Sequence, residues 1–436
     1  MGDNKVAVAG GEDRLSALPD DVIRLFLSFL PSRQAVQTCV LATRWRTLWK
    51  SVPSLRIDMR YDSAKFLNSL IRYRDPTPLR ECDILFVHRD YTSEARREAE
   101  LWLRYALSCK ARLLRFDILN HFIQLSLSAG VLVSKYLTSL NLCGVVFEDF
   151  SLDVLGCKSL EVLDMHDCVI NIGAEFPKSL RLLRIRDARC IPEDTRSSIH
   201  APGLIILELA DPFGWTPVLK RLPSLVTAFI NIGYDCMDSC RKSSYGDCGH
   251  QSCMACYGVL DNCVLLQGLS GATNLELITP SSMIFRKEIK WCPMFSKLKA
   301  LLLGDWCMTS NFSGLVYFLQ HSPVLEMLTL QLSGFNKKSI IKTSVYKPKE
   351  QFVVTKHLKA VKITYFKEKG MDERVNQILN VLAYHGVHQE LINFDCKDYI
   401  RRAYPYPYFQ TFYYGSSVQA PMSPVSFAIR YLRFVN

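Results

Sequence analysis

The amino-acid sequence predicts an α+β fold: a three-helix N-terminal unit, then an irregular solenoid of parallel strands with helices and loops, then a C-terminal cap. Two observations carry this prediction. The first 60 residues hold an excess of apolar side chains at helical rather than strand spacing. From residue 110 onward, a short leucine-containing phrase recurs at intervals that are mostly 20 to 27 residues long.

The first predicted helix is apolar on more than one side. Seven of the eleven residues from 20 to 30 are apolar. Pro19 and Asp20 suit a first helical turn, and Pro31 ends the helix. A unit of about 45 residues buries too little surface to cover an apolar excess of this kind. The excess therefore predicts a partner, or close docking on the rest of the chain.

Two more helices complete the N-terminal unit. The second is predicted over residues 34–43, and the third carries Trp45 and Trp49 and ends before Pro53. In an alternative interpretation, the three helices only close the end of the solenoid. Their apolar faces would then turn inward.

The repeated phrase consists of Leu, two residues, an apolar residue, one residue and a second apolar residue. It starts at Leu113, Leu137, Leu160, Leu180, Leu204, Leu225, Leu275, Leu298, Leu325 and Leu358. This spacing is typical of leucine-rich repeats, in which each unit contributes one short parallel strand and a return segment. We therefore predict a repeat solenoid over residues 110–370, with Cys168, Cys190 and Cys307 where its units turn.

Residues between the anchors of each strand are expected to line the concave face, where repeat proteins usually bind. The candidate target-binding residues are Asn141, Asp164, His166, Arg184, Arg186, Glu208, Thr329 and Gln331. Their mixture of charges suits a protein ligand but does not identify one.

An insertion over residues 234–263 interrupts the repeats and holds six of the sixteen cysteines. Thiolates and imidazole at short spacing are ligands for tetrahedral zinc. The most compact candidate set is Cys248, His250, Cys253 and Cys256, with Cys236 and Cys240 as rivals. The alternative is a cysteine-bearing loop without metal. Because no export leader is recognised, we expect reduced thiols in the cytoplasm or nucleus rather than disulfides.

The C-terminal part is predicted to hold a cap over residues 357–398. An amphipathic helix there buries one face through Val375, Ile378, Leu379 and Leu382. The Tyr- and Pro-rich tail, residues 399–436, receives no structural assignment.

The net charge of +11 is concentrated in residues 337–369, where ten lysines stand against two glutamates. Such a block can attract acidic partners or nucleic acid, or it can be a solvated loop. Because no nucleic-acid-binding motif accompanies it, we do not expect nucleic acid as a partner. No segment reads as a membrane span.

The sequence contains no complete enzyme motif of the common classes. His88-Arg89-Asp90 imitates a kinase catalytic loop, but Ala95 stands where the metal-binding Asn should be. There is also no phosphate-binding Gly-rich loop and no nucleophile elbow. We predict no catalytic residues and no cofactor other than the possible zinc.

Four N-terminal segments together resemble a known family. They are Leu-Pro-Asp-Asp-Val-Ile at 18–23, Leu-Ser-Phe-Leu-Pro at 27–31, Val-Gln-Thr-Cys-Val-Leu at 36–41 and Arg-Trp-Arg-Thr-Leu-Trp at 44–49. They resemble the F-box of plant F-box/leucine-rich-repeat proteins, here over residues 13–58. Residues 358–396 resemble the FBD segment that ends many of these proteins.

The resemblance implies a function. In that family the F-box docks on the Skp-type adaptor of an SCF ubiquitin ligase, which brings cullin and RING partners, and the repeats hold a target protein. The residues implied in docking, as contacts or as support, are Leu18, Pro19, Ile23, Leu27, Leu30, Val40, Trp45 and Trp49. The alternatives are a repeat scaffold without a ligase, or a basic protein that binds acidic partners or nucleic acid.

Overall fold

The computed structural model describes residues 18–87, 93–118, 125–128, 130–151, 154–171, 175–190, 196–233, 236–238, 240, 242, 248–257, 263–279, 293–308, 312–332, 357–366 and 371–397. The tail at 399–436 lies outside these residues, as does most of the lysine block at 337–369.

The described strands follow one another in chain order. They are β1 (Ser54–Asp58), β2 (Glu81–Phe86), β3 (Leu113–Ile118), β4 (Leu125–Leu127), β5 (Ser139–Cys143), β6 (Val145–Ser151), β7 (Val162–His166), β8 (Val169–Asn171), β9 (Leu182–Arg186), β10 (Arg189–Cys190), β11 (Ser198–Ile199), β12 (Ile206–Ala210), β13 (Val218–Leu219), β14 (Thr227–Asn231), β15 (Asn274–Ile278), β16 (Ala300–Leu303), β17 (Met327–Gln331), β18 (Ala360–Phe366) and β19 (Ile392–Lys397).

The described helices are α1 (Asp20–Leu27), α2 (Ser32–Gln37), α3 (Trp45–Leu48), α4 (Ala64–Tyr73), α5 (Ser93–Ser108), α6 (Met254–Tyr257), α7 (Leu266–Leu269), α8 (Ser313–His321) and α9 (Met371–Tyr384). Shorter 3-10 turns cover Thr38–Val40, Trp49–Ser51, Asp305–Met308 and Gln389–Leu391. None of these helices combines the length and apolar character that crossing a membrane requires.

Thirteen of the described strands form a single sheet, in the order β1-β2-β3-β5-β7-β9-β12-β14-β15-β16-β17-β18-β19. Every pairing along it is parallel, from Leu55 opposite Cys82 to Ile363 opposite Phe394. A second parallel sheet, β10-β8-β6-β4, is built from the return segments. The predicted α+β repeat fold is confirmed.

All ten predicted repeat units contribute a strand to the long sheet, but two anchors differ from the prediction. Leu114 pairs with Leu140, and Leu275 pairs with Leu301. The residues equivalent to the first leucine are therefore Ala111 and Ala272, both fully buried, rather than Leu113 and Leu275. Alanine fills the anchor position in these two units, so a search for leucine misaligns them.

The sheet begins earlier than predicted, at β1 and β2. The underlying phrases are Val52-x-x-Leu55-x-Ile57 and Leu79-x-x-Cys82-x-Ile84. In both, the two central apolar residues are buried. The pattern was therefore present in the sequence, with Val and Cys standing at positions that leucine usually occupies.

The repeat units turn at one recurrent backbone position directly after their strands. Gly144, Asp167, Asp187 and Asp211 have positive φ values of 71°, 51°, 51° and 47°. Gly and Asp tolerate this left-handed conformation better than most residues. The amide of each donates to the last strand residue of the next repeat, as when Asp187 N lies 3.0 Å from Ala210 O. Each turn thus extends the ladder by one hydrogen bond.

The predicted second helix is shorter than expected. Instead of one helix over residues 34–43, α2 ends at Gln37 and a 3-10 turn follows, so that Val40 and Leu41 stand at its exposed end. Helix α3 is likewise extended by a 3-10 turn at Trp49. Hereafter, residues 18–53 are called the helical unit.

At the C-terminal end, the predicted helix is α9, and Val375, Ile378 and Leu382 are buried in the main core. Besides covering that core, residues 371–397 extend the sheet. After α9 the chain forms β19, which pairs in parallel with β18. Residues 371–397 therefore add one more repeat-like unit.

Candidate functional site

Helix α1 carries two apolar stripes, and one of them is exposed. Val22, Leu25 and Phe26 point to solvent, and the stripe continues into the turn at Phe29. The side chains of Phe26 and Phe29 are 55% and 56% exposed. These four residues fall at i, i+3, i+4 and i+7, so they share one helix face. We call them the docking stripe.

The opposite stripe of α1 forms a small core inside the helical unit. The buried residues of this core are Ile23, Leu27, Ala35, Trp45, Leu48 and Val52, with Leu18, Leu30 and Ala42 packed at its edge. Ile23, Leu27 and Trp45 can therefore support a docking surface but cannot reach a partner.

Some of the remaining predicted docking residues are exposed, and one packs against the repeats. Pro19 is exposed at the start of α1, and its carbonyl accepts the amides of Val22 and Ile23. Val40 is 82% exposed, and the neighbouring Leu41 is also open to solvent. Trp49 instead packs against the core of the repeats. Of the predicted set, Pro19 and Val40 are thus the exposed members.

Val40 and Leu41 lie beside a shallow depression. Its lining consists of Cys39, Val40, Leu41, Ala42, Thr43 and Arg46. Arg44, just beyond, donates from Nε to Asp20 Oδ1 over 2.7 Å and so ties this segment to the first turn of α1. Exposed apolar groups of this kind mark interaction sites more often than chance.

The helical unit is fastened directly to the repeats. Ser32 is buried, and its hydroxyl accepts the amide of Arg56 in β1 over 2.8 Å. Arg74, buried after α4, donates to the carbonyl of Val52. Val36 and Trp49 pack on the repeat core from the helical side. The exposed stripe is therefore held on the edge of the sheet by both hydrogen bonds and apolar contacts.

The open face of the long sheet presents the half-buried residues at alternate strand positions. The parallel register aligns one row of them across the strands, through Asn141, Asp164, Arg184 and Glu208. Thr329 and Gln331 lie on the same face of β17, with Lys362 and Thr364 of β18 opposite them.

The charged target-binding candidates are largely engaged with one another. Arg184 lies 3.4 Å from Asp164 and 3.0 Å from Glu208, and Arg186 lies 2.7 Å from Asp164. Burial still raises the pKa of Glu208 despite the two guanidinium groups. The pairs thus mainly offset the desolvation of charges on this part of the face.

The middle of the open face is more apolar, and the sequence prediction missed it. Phe229, Glu276 and Leu302 lie opposite one another on β14, β15 and β16. Glu276 has no ion-pair partner among the described residues. Its burial, and to a lesser degree the charge of Glu208, raise its pKa to about 7. The sequence contained this signal, because these residues occupy the positions between anchors in the last unit before the insertion and the first two units after it.

His166, another candidate, is held by two neighbours. Its Nε2 lies 3.0 Å from an Asp187 carboxylate oxygen, and its Nδ1 lies 3.4 Å from Cys143 Sγ. The hydrogen bond with Asp187, and next that with Cys143, raise the pKa of His166 from 6.5 to about 10. Protonated His166 is thus favoured by the fold.

This contact predicts a pH-dependent contribution to stability. Because the folded-state pKa of His166 is raised, the stabilisation is complete below about pH 6.5 and is lost as the pH rises towards 10. Both side chains are about one-third exposed, so screening leaves about 1 kcal/mol. Urea unfolding of Asp187→Asn should show this loss at pH 6 and little difference near pH 10.

The control for this prediction is Asp167→Asn, at the equivalent turn of the preceding repeat. Asn keeps the backbone tolerance of Asp at positive φ, so neither variant should strain its turn. A loss of stability in Asp187→Asn that is the same at pH 6 and pH 10 would contradict the assignment to His166.

In the insertion, the structure brings four thiols together, and His250 of the predicted ligand set is not among them. The sulfur atoms of Cys240, Cys248, Cys253 and Cys256 all lie within 4.8 Å of one another. His250 is exposed and outside this group. Its backbone carbonyl accepts the amide of Cys253 in the turn that precedes α6. Cys236 is buried in the main core instead.

Comparison with known proteins agrees with this architecture. A sequence model of the F-box domain matches residues 15–57. An F-box/LRR-repeat protein of Arabidopsis thaliana is 26% identical over 74% of this chain and 71% of its own length. An F-box/FBD/LRR-repeat protein of the same plant is 25% identical over 78% of this chain and 81% of its own length.

These matches confirm the resemblance predicted from the sequence. A second F-box/FBD/LRR-repeat protein of Arabidopsis thaliana reaches 32% identity, over 45% of this chain. The matched F-box coincides with the helical unit that carries the docking stripe, and the longer matches extend over the repeats. The chain thus carries an F-box domain and is similar, over about three quarters of its length, to plant F-box/leucine-rich-repeat proteins.

Proposed function

We propose that this protein is the substrate-recognition adaptor of an SCF-type ubiquitin ligase. In this role the helical unit binds a Skp-type adaptor, and through it a cullin and a RING protein, while the open face of the sheet binds a target protein. F-box domains generally bind Skp-type adaptors, and F-box/LRR proteins are generally non-catalytic. We accordingly assign no covalent chemistry to this chain, and we expect it to act in the cytoplasm or nucleus.

The observation that carries the proposal is the docking stripe within the matched F-box. A helix with two apolar stripes needs a second surface to cover the one that its own core does not use. The rival interpretation, in which the helices only cap the solenoid, requires these side chains to turn inward. Phe26 and Phe29 are more than half exposed, which favours a partner over a cap.

The role of the complex is to hold the target near a charged ubiquitin-conjugating enzyme. Proximity of this kind raises the effective concentration of target lysines without any catalytic group in the adaptor. The direct fastening of Ser32 to Arg56 suits this role, because a rigid connection keeps the bound target at a fixed distance from the Skp-type adaptor.

For the target itself, we place the contact at Phe229, Glu276 and Leu302 on the open face. The paired charges of Asp164, Glu208, Arg184 and Arg186 already neutralise one another. Glu276, in contrast, has no ion-pair partner among the described residues. Apolar side chains beside a desolvated carboxylate suit a target segment that presents Lys or Arg next to an apolar residue.

Co-expression with a plant Skp-type adaptor tests the proposal. The wild-type chain should co-purify with the adaptor. Phe26→Asp should weaken binding at least tenfold, about 1.4 kcal/mol, because it places a charge in the apolar contact. Calorimetry with the purified proteins measures the change.

Leu101→Asp is the matched control, since Leu101 is about as exposed on α5 as Phe26 is on α1. It should bind the adaptor like the wild type. Hydrogen exchange over residues 20–52 checks that Phe26→Asp leaves the helical unit folded. A folded wild-type chain that does not bind any Skp-type adaptor would overturn the proposal, as would equal binding by Phe26→Asp.

A further inference from the structure

We propose that the insertion holds a structural zinc ion in a site of four thiolates, from Cys240, Cys248, Cys253 and Cys256. This inference is independent of the proposed ligase function. It differs from the set that the sequence favoured, because Cys240 takes the position assigned to His250.

Two of the distances between the sulfurs match the edge of a zinc tetrathiolate, and all four sulfurs lie within 4.8 Å of one another. Four sulfurs about 2.3 Å from a central zinc lie about 3.8 Å from one another. The observed distances are 3.9 Å between the sulfurs of Cys240 and Cys253 and 3.6 Å between those of Cys248 and Cys256. A disulfide would bring two sulfurs to about 2.05 Å, and none of these four cysteines is joined in one.

The backbone conformation around the cysteines brings their thiols close together. Gly249 adopts a positive φ of 73°, directly after Cys248. The amide of Cys253 then donates to His250 O over 2.9 Å, and the amide of Cys256 donates to Cys253 O over 3.1 Å at the start of α6. A turn followed by a short helix thus presents Cys253 and Cys256 on the same side.

Both ends of the insertion are fastened to the repeats independently of these thiols. Near its start, buried Asp238 accepts from Arg196 Nη1 over 2.8 Å and from the amide of Thr216 over 2.9 Å. Near its end, Val264 O accepts the amide of Leu219 over 2.7 Å. The intervening segment needs its own source of stability.

Apolar burial supplies little of that stability in the described part of the insertion. The separate cluster there has Cys240 and Ala255 as its buried residues, with the other three cysteines packed against them. So small a core does not hold a loop together, and small units of this kind commonly depend on a metal or on disulfides. Four converging thiols are the chemistry that zinc uses in structural sites.

The metal content of the full-length chain gives the direct test. Native mass spectrometry and elemental analysis of protein purified without added chelator should find about one zinc per chain. Binding displaces protons from the thiols, so zinc should be released on acidification. Cobalt added to the chelator-treated protein should produce the absorption bands of a tetrahedral tetrathiolate site.

Single variants identify the ligands. Cys240→Ser should lower the zinc content at least tenfold, whereas His250→Ala should leave it unchanged. Cys396→Ser is the matched control for loss of a thiol, because Cys396 is exposed on β19. Measurements on the wild type do not depend on whether Cys240→Ser folds, so the proposal stays testable if that variant aggregates.

Four results would contradict the proposal. Wild-type protein with neither zinc nor cobalt binding would exclude it, and so would four thiols that resist alkylation until a reductant is added, which would indicate two disulfides. Bound iron in place of zinc would refute the assigned metal. Loss of zinc in His250→Ala but not in Cys240→Ser would restore the ligand set that the sequence favoured.

Discussion

Replacing Leu27 with alanine is expected to lower the free energy of unfolding of the helical unit by about 3 kcal/mol, the middle of the range for buried Leu→Ala changes. Leu27 is fully buried in the small core of that unit. Because the core holds only a few buried side chains among the described residues, its neighbours cannot repack around the cavity. The unit should unfold locally and lose its exposed docking stripe.

Hydrogen exchange measures the effect segment by segment. In Leu27→Ala, amides in residues 20–52 should exchange roughly a hundredfold faster, while those of β5 to β14 keep their protection. The matched control is Leu207→Ala, which removes the same side chain from the core of the repeats. It should loosen the sheet around β12 and leave residues 20–52 protected.

Adaptor binding separates the two variants further. Leu27→Ala should bind a Skp-type adaptor weakly, and Leu207→Ala should bind it normally. If exchange in Leu27→Ala rises equally in the helical unit and in the sheet, the two regions unfold together. The contacts at Ser32 and Arg74 would then couple them more strongly than their separate cores indicate.

Replacing Glu276 with glutamine is expected to stabilise the chain by up to about 3 kcal/mol above pH 7. The folded-state pKa of Glu276 is raised from 4.5 to about 7, so the fold favours the protonated carboxyl. Wild-type stability should therefore fall as the pH rises from about 4.5 to about 7. Glutamine has no charge to desolvate, and its stability should not show this fall.

Urea unfolding at pH 4 and pH 8 tests whether wild-type stability falls as the pH rises. The wild type and Glu276→Gln should be equally stable at pH 4 and should differ at pH 8. Glu161→Gln removes the same charge from an exposed position and serves as the control. Equal stability of wild type and Glu276→Gln at both pH values would show that Glu276 is not desolvated as its position indicates.

Most of the repeat architecture could be predicted because its signal is local. Each of the ten phrases places two apolar anchors on one face of a strand, and a period of two residues is easily recognised. The units at β1 and β2 were missed since Val52 and Cys82 replace the expected leucines. The added strand β19 was missed since Gln389 stands where the first leucine is expected, three residues before Ile392, which pairs with Val361.

The candidate sites were predicted less well, for a different reason. The sequence shows that α1 is apolar on two sides, but not which side Trp45 and Leu48 will cover, since that depends on the packing of three helices. Likewise, His250 is close to Cys253 in sequence, whereas Cys240 reaches it only through the fold. Tertiary contacts decide both cases.

Because strand pairing is unbroken from β1 to β15, the number of strands sets the distance between the helical unit and Glu276. Glu276 lies eight strands from the edge to which the helical unit is fastened. At about 4.8 Å per strand, this is about 38 Å measured along the sheet. Gain or loss of one repeat would shift a bound target by one such step without altering the adaptor contact. If the chain has the adaptor role proposed above, the number of repeats thus selects which lysines of a target come within reach of the ubiquitin-conjugating enzyme.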